Sequence, residues 1–259
     1  MTDLPVETYS VPARLGTTAR VEGDELVVSI APFPPLLRCG AVRASVVSYL
    51  IDCAAGIPLQ APDAWTLTTD MTVRSLAAPA PQTLTARFVP LRRGRRTAAG
   101  RVDVLDGSGR IVGHGAIGFA RVTHRDGDPP LPAFTLQQIA EHFGSVPPIT
   151  EPLRDAAGIE VVDAAAGEVE VALEPKLLNP AGTLQGAMTA LVGEVAAEEA
   201  LSTRSDTPVV ITDLDIRYLA RTTAGPVRTR SDILGPGPDA VVIVELVDAS
   251  TGTVAAIVH

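Results

Sequence analysis

The pattern of hydrophobic and polar positions along the chain occurs twice in the same order. Each copy begins with alternating β-branched residues, at about 26–30 and 169–173, which is typical of a half-buried strand. A helix that is apolar on most faces follows, at about 43–56 and 185–201, and such a helix is typically buried. Further strands are predicted near 65–76, 82–91, 96–105 and 110–122 in the first copy, and near 208–219, 225–234, 239–248 and 252–258 in the second.

The two copies also align in sequence, at offsets of 142 or 143 residues. A repeat of this length indicates a duplicated structural unit rather than a short solenoid motif. The matching blocks keep their order along the chain, which favours a true repeat over chance similarity. These blocks are 25–32 with 168–175, 40–55 with 182–197, and 69–76 with 212–219.

One strand, one buried helix and a run of antiparallel strands predict an α+β fold in which each copy forms a sheet wrapped around its helix. We expect an N-terminal domain over 1–122 and a C-terminal domain over 159–259. A proline-rich linker, 123–158, contains a short predicted helix at 136–143. The linker is long enough for the two sheets to pair edge to edge, which would remove two exposed sheet edges.

Composition and charge narrow the class of protein. The chain is 46% hydrophobic and carries a net charge of -9, which argues against nucleic acid as a general partner and weakly against anionic membranes. No apolar run reaches the 18 residues of a membrane-spanning helix. The first residues show no basic region followed by an apolar stretch, so we expect no secretory signal. Cys39 and Cys53 give neither a disulfide framework nor a metal cluster, so we expect a cytoplasmic protein. Lys176 is the single lysine, an arginine bias typical of a GC-rich bacterial genome.

The segment that opens the second central helix resembles the PaaI-like hotdog thioesterases. Residues 178–187 are Leu-Asn-Pro-Ala-Gly-Thr-Leu-Gln-Gly-Ala. The family has an Asn, then a Gly, then His-Gly-Gly at the start of the helix, and a carboxylate nine residues beyond the His. Asn179 matches the family Asn, Gln185 stands at the His position, and Glu194 stands at the carboxylate.

The first copy matches the same pattern more loosely, with Arg43 at the His position, Asp52 at the carboxylate and Leu37 in place of Asn179. Fused double-hotdog acyl-CoA thioesterases are similar in plan over about 20–122 and 160–258. The resemblance implies a double hotdog, with two antiparallel sheets each wrapped around a central helix. It implies an acyl-CoA substrate, no cofactor beyond the coenzyme A of that substrate, and a homodimer of double hotdogs. The strand threonine of this family corresponds to Thr69 or Thr212.

Thioester hydrolysis requires stabilisation of negative charge on the carbonyl oxygen, together with a nucleophile or a base that activates water. The N-terminus of a helix provides free N–H groups and the positive end of a dipole. Nine helical residues span roughly 13.5 Å, too far for one helix to supply both groups, so the carboxylate must come from the other copy. One candidate site combines Asn179, Gln185 and Gly186 with Asp52; the second combines Leu37, Arg43 and Ala44 with Glu194. We favour the first because it keeps more polar groups and the glycine.

Each candidate residue also has a structural interpretation. The two carboxylates could form ion pairs with Arg43, Arg74 or Arg217. Gln185 and Asn179 could cap the helix and form a turn, and Thr69 and Thr212 could be ordinary strand residues. A predicted hairpin carries four arginines that could bind the phosphates of coenzyme A or simply be solvated: Arg92, Arg93, Arg95 and Arg96.

The sequence therefore predicts an acyl-CoA thioesterase. The alternative is a non-catalytic protein that binds acyl-CoA or another acyl ligand, since both copies lack the family His. A hydratase and zinc chemistry are disfavoured because the histidines lie outside the helix starts and form no metal-ligand pattern. These are His114, His124, His142 and His259.

Overall fold

The computed structural model describes residues 9–61, 63–75, 83–131, 133–237 and 240–259. The first half contains one long helix and eight strands, and the second contains one long helix and six strands, with two short helices between them. The elements are β1 (Thr17–Glu22), β2 (Glu25–Ile30), β3 (Leu37–Arg38), β4 (Ala41–Val42), α1 (Ala44–Gly56), β5 (Ala64–Ser75), β6 (Leu84–Arg93), β7 (Thr97–Leu105), β8 (Ile111–Thr123), α2 (Leu136–His142), α3 (Leu153–Ala157), β9 (Ile159–Asp163), β10 (Glu168–Val171), α4 (Gly186–Ser202), β11 (Asp213–Tyr218), β12 (Val227–Leu234), β13 (Val241–Asp248) and β14 (Thr253–Val258).

Twelve strands form one antiparallel sheet in the order β1-β2-β6-β7-β8-β5-β11-β14-β13-β12-β10-β9. Both halves have the same plan within this sheet, because each of the six strands from the first half has its counterpart at the mirrored position in the second; β3 and β4 form a separate two-stranded sheet. The halves join where β5 pairs with β11, with Asp70 opposite Arg217 and Arg74 opposite Asp213. The edge-to-edge pairing that the linker length suggested is therefore present.

The outermost strands, β1 and β9, were not predicted from the sequence. Charged residues occupy several positions of both strands, and each strand pairs with a single neighbour. Such short, charged strands are typical of sheet edges, where they discourage pairing with other chains. The predicted strand near 208–219 is also shorter, because β11 begins at Asp213.

The two long helices pack against each other and against the sheet, and one apolar cluster extends through both halves. The helices are antiparallel, since the start of α1 contacts the middle of α4 and the start of α4 contacts the last turns of α1. Every residue of α1 is buried except Asp52. Asp52 of α1 therefore lies near the N-terminus of α4, and Glu194 of α4 lies near the N-terminus of α1. This agrees with the prediction that the carboxylate of each site comes from the other copy.

The segment after β8 leaves the sheet, forms α2, and returns through α3 to β9. A capping box fixes the start of α2: the Thr135 hydroxyl accepts a hydrogen bond from the Gln138 N–H, and the Gln138 side chain accepts one from the Thr135 N–H. This helix packs on β1. In the parts of the chain described above, no helix combines the length and apolar character needed to cross a membrane.

Candidate functional site

A cavity of about 920 Å³ opens where the last turns of α1 face the start of α4. This volume lies near the upper end of the range for small-molecule sites, which is about 300–1,000 Å³. The walls come from α1, the first residues of β5, the end of β8, the loop before α4 and the segment that contains α2. Most lining side chains are apolar, and Asp52 is the one carboxylate among the described residues that line the cavity.

Two side chains from opposite halves hold Asp52. The Thr68 hydroxyl donates a hydrogen bond to Oδ1 at 2.8 Å, and the Gln185 amide donates to Oδ2 at 3.4 Å. Burial raises the pKa of Asp52, and the hydrogen bond from Thr68 partly offsets this effect. The half-buried carboxylate is thus fixed in orientation, faces the cavity and is a stronger base than an exposed aspartate.

The start of α4 leaves one backbone donor beside this carboxylate. Gln185 is the N-cap, and its side-chain oxygen accepts hydrogen bonds from the N–H groups of Ala187 at 2.7 Å and Met188 at 3.3 Å. Among the described residues, no acceptor pairs with the N–H of Gly186, the first helical residue. A Cβ on Gly186 would lie 3.3 Å from the Tyr218 hydroxyl oxygen and 3.6 Å from Asp52 Oδ2, so Gly186 lies directly beside the carboxylate.

Tyr218 completes the wall around Gly186 and was not a predicted site residue. Its hydroxyl donates a hydrogen bond to the Gly186 carbonyl at 3.0 Å. Burial, and then the charge of Asp52, raise the pKa of Tyr218, so the phenol stays protonated. The first copy has Ser75 at the aligned position, and this difference between the copies is the only sequence signal that could have indicated it.

The two predicted strand threonines do not contact a candidate carboxylate. Thr69 donates to Asp70 at 2.8 Å, and Thr212 donates to Asp213 at 2.7 Å. The pairing of β5 with β8 shifts register between Thr68 and Asp70, which leaves Thr69 as the extra residue of a bulge. Because a bulge breaks the alternation of a strand, Thr68 reaches Asp52 although the repeat alignment pointed to Thr69.

Asn179 shapes the loop before α4. Its side-chain oxygen accepts hydrogen bonds from the N–H groups of Ala181 at 3.0 Å and Thr183 at 3.2 Å. Gly182 ends this turn at φ +72°, a conformation that favours glycine. Asn179 also lines the cavity, so the structure brings it together with Asp52, Gln185 and Gly186, in a position where it fixes the entrance to the helix.

The second candidate site is closed by its own carboxylate. Glu194 is fully buried, and it accepts hydrogen bonds from the N–H groups of Ala44 at 2.8 Å and Ser45 at 3.2 Å, as well as from the Ser45 hydroxyl. These are the donors at the start of α1 that a substrate carbonyl would need. Leu37 lies in the two-residue strand β3, outside the cavity lining.

A buried ion-pair network surrounds Glu194. The Arg43 guanidinium lies 2.9 Å from Glu198 and 3.8 Å from Glu194, and Arg38 lies 3.8 Å from Glu198. Burial lowers the pKa of Arg43, but the charges of Glu194 and Glu198 outweigh this effect and raise it overall. Burial, and then the charge of Glu194, raise the pKa of Glu198 to about 7. The predicted ion-pair alternative for Glu194 is thus present, with Arg43 as its partner.

The length of the carboxylate side chain and the identity of the N-cap residue account for the difference between the two sites. Glu194 is long enough to reach the free N–H groups of α1, whereas Asp52 is shorter and Gln185 caps α4 instead. The start of α4 consequently keeps an open donor beside a reachable carboxylate. The start of α1 has neither.

The four predicted phosphate-binding arginines, Arg92, Arg93, Arg95 and Arg96, lie at the hairpin between β6 and β7. Their side chains are exposed and do not line the cavity. Thr97, directly after them, pairs with Ala120, which does line it. The hairpin therefore lies at the same end of the sheet as one wall of the cavity. Within the described residues, no group of three or more His, Cys, Asp or Glu side chains is arranged to hold a metal ion.

The chain has the fold of the hotdog-type thioesterases. It superimposes on a protein described provisionally as a thioesterase II from Thermobifida fusca YX with a TM-score of 0.63 and 17% identity, over 96% of this chain and 97% of the other. It superimposes on the 12:0-ACP thioesterase from Umbellularia californica with a TM-score of 0.60 and 10% identity, over 92% and 97% of the two chains. No protein-family model and no curated protein matches the sequence.

Proposed function

We propose that this chain hydrolyses acyl thioesters at one site, formed by Asp52 and the start of α4. The chain would be a double hotdog with domains 1–122 and 159–259 and a linker, 123–158. The observation that supports this function is the position of the cavity-facing Asp52 carboxylate beside Gly186 of the other half, whose N–H has no acceptor among the described residues. The Gly186 N–H can stabilise the negative charge on the carbonyl oxygen, and Asp52 can activate water. At the other site, the Glu194 carboxylate accepts hydrogen bonds from the N–H groups at the start of α1, so neither the donors nor the carboxylate is available to a substrate.

In the proposed mechanism, the thioester carbonyl oxygen accepts a hydrogen bond from the Gly186 N–H at the positive end of α4. Asp52 removes a proton from water, and the hydroxide adds to the carbonyl carbon. The tetrahedral intermediate then collapses, the C–S bond breaks, and the thiolate takes the proton from Asp52. Gln185 and Thr68 act as positioning residues that hold the carboxylate. A raised pKa suits Asp52 to this role, because a general base works best when its pKa approaches the working pH.

The direct test is a panel of saturated acyl thioesters, each presented on coenzyme A, on acyl carrier protein and on N-acetylcysteamine. Release of free thiol would be followed with a chromogenic disulfide. We expect hydrolysis of at least one series. Binding without release of thiol across the panel would contradict the proposal and would support the alternative, a non-catalytic protein that binds acyl ligands.

Thr68→Val should move the acid limb of the pH profile of kcat/KM to higher pH. Activity requires ionised Asp52, so it falls as the pH drops through the pKa of this group. The Thr68 hydrogen bond lowers that pKa, and its removal raises it. The matched variant is Thr69→Val, which removes a neighbouring hydroxyl that bonds to Asp70 instead. An acid limb that moves in Thr69→Val and stays in Thr68→Val would contradict this assignment.

The arginine hairpin is proposed to bind the phosphates of coenzyme A. We expect Arg95→Ser/Arg96→Ser to raise KM for acyl-CoA roughly tenfold, since hydrogen bonds between charged groups contribute about 1.5–3 kcal/mol. KM for N-acetylcysteamine thioesters, which lack phosphate, should stay unchanged. Arg101→Ser/Arg110→Ser removes two other exposed arginines of β7 and the turn after it and serves as the control. Equal effects on both thioester classes would argue against phosphate binding by the hairpin.

A further inference from the structure

Residues 124–143, which we call the strap, cross the cavity between the two halves; the structure describes all of them except residue 132. The strap begins beside the first half, where the His124 ring lies 6.4 Å from the Trp65 ring. It reaches the second half where Asp128 pairs with Arg221 at 3.4 Å, and it returns to the first half where α2 packs on β1. The strap is therefore attached on both sides of the cavity.

Local hydrogen bonds fix the shape of the strap. The Arg125 N–H donates to Asp128 at 2.9 Å, and the His124 ring nitrogen lies 2.9 Å from the Pro129 carbonyl oxygen. The capping box at Thr135 holds the start of α2. A segment with this many internal and external contacts is a defined wall, so the side chains that it presents to the cavity constrain what the cavity accepts.

The side chains that the strap contributes to the cavity are apolar. The opposite wall, from α1, β5 and β8, combines apolar side chains with the polar groups around Asp52. The pantetheine arm of a substrate carries two amides, and burying them against the strap, whose described cavity-lining side chains are all apolar, would be unfavourable. An aliphatic acyl group has no such requirement. The strap contributes Pro130, Leu131, Phe134, Ile139 and Phe143, and the opposite wall includes Cys53, Ile57, Trp65 and Phe119.

We propose that the strap forms the acyl-binding wall of the Asp52 site, and that the preferred substrates carry medium to long aliphatic acyl chains. This inference rests on the proposed function, because it identifies the strap side of the cavity as the acyl side of the thioester. Ile139 on α2 and Phe143, directly after α2, then act as specificity-determining residues. Phe134, which is 68% exposed, covers the rim of the cavity.

The test measures binding by titration calorimetry, with S-alkyl-CoA thioethers of two to sixteen carbons that cannot be hydrolysed. For the full chain, we expect affinity to rise about fourfold for each added methylene until the cavity is full. Ile139→Trp fills the acyl side and should weaken binding of the long thioethers roughly 10-fold to 100-fold. It should leave S-ethyl-CoA unaffected. Gln137→Trp places the same bulk at an exposed position of α2 outside the cavity lining and should change neither.

A second variant keeps the inference testable if Ile139→Trp does not fold. Ile139→Ala enlarges the cavity and should shift the chain length of tightest binding to longer thioethers. Affinity that does not rise with chain length, or an Ile139→Trp effect equal at all lengths, would overturn the inference. Chain-length-dependent binding without hydrolysis of any thioester would instead leave the strap assignment standing and contradict the proposed function.

Discussion

Asp52→Asn should lower kcat for thioester hydrolysis by roughly 10²-fold to 10⁴-fold, the usual contribution of a general base. The amide has nearly the same shape and still accepts a hydrogen bond from Thr68, so the cavity should keep its form. The measurement is kcat on the best thioester of the panel. Binding of an S-alkyl-CoA thioether should change much less, because the variant removes the base and leaves the walls of the cavity intact.

The same substitution should not destabilise the protein at pH 8. Burial raises the pKa of Asp52 in the folded state above its value in the unfolded chain, so the folded protein favours the protonated form. The stability associated with that proton is present at low pH and is lost as pH rises through the folded pKa. Asn is neutral at every pH. We therefore expect a Tm at pH 8 equal to or above that of the original chain, and the gain should shrink as pH falls.

Glu194→Gln is the matched control, because the repeat aligns Glu194 with Asp52. Its carboxylate bonds to the start of α1 and has no access to the cavity, so we expect a lower Tm and little change in kcat per folded molecule. Full activity of Asp52→Asn would refute the proposed base. A large loss of kcat in a folded Glu194→Gln protein would show that the second site takes part in the reaction.

The sequence was sufficient to predict the duplicated plan of the fold. The buried helices and the inner strands follow from apolar periodicity and from the repeat, which report on the core, and the length of the linker indicated the edge-to-edge joint. The edge strands β1 and β9 were missed because β1 has a single large apolar residue, Val21, and the adjacent Val161 and Val162 break the alternation of β9. The predicted helix boundaries at 43–56 and 185–201 agree with α1 and α4 to within one residue.

The site was less predictable because it depends on short distances between the halves. Alignment predicted Asp52 near Gln185 and Gly186, and Arg43 was one of three arginines, with Arg74 and Arg217, predicted as ion-pair alternatives for the carboxylates. The alignment could not show that a bulge makes Thr68, rather than Thr69, the partner of Asp52. A bulge changes the direction of one side chain without leaving a clear pattern in the sequence.

Fusion of the two copies permits the asymmetry of the sites. In a symmetric dimer of identical subunits, both helix starts and both carboxylates would be the same. In this chain one helix start has Gln and faces Asp, and the other has Arg and faces Glu. Gln185 and Asp52 leave the Gly186 N–H and a carboxylate available to a ligand. Arg43 and Glu194 instead form hydrogen bonds and ion pairs within the core. The second half can therefore stabilise the joint while the first provides the proposed base.

Because the buried ion pairs of Arg43 hold the two helices together, we expect Arg43→Met to cause the largest loss of folding stability. Arg43, Glu194 and Glu198 are each at most 5% exposed, so the substitution leaves two buried carboxylates with only the more exposed Arg38 nearby. Removing one member of a buried ion pair costs about 3–5 kcal/mol. For a chain of this size that corresponds to a decrease in Tm of about 10 °C.

The pH dependence and a surface control make this prediction specific. Protonation of Glu198, whose pKa is about 7 even with Arg43 present, relieves the unpaired charge, so the loss of Tm should be larger at pH 8 than at pH 5.5. Arg74→Met removes an exposed ion pair with Asp215, at 2.8 Å, and should change stability by about 1 kcal/mol or less. If Arg43→Met lowered Tm no more than Arg74→Met does, the network around Glu194 would not hold the two helices together. The closure of the second site would then have to depend on the hydrogen bonds from Ala44 and Ser45 alone.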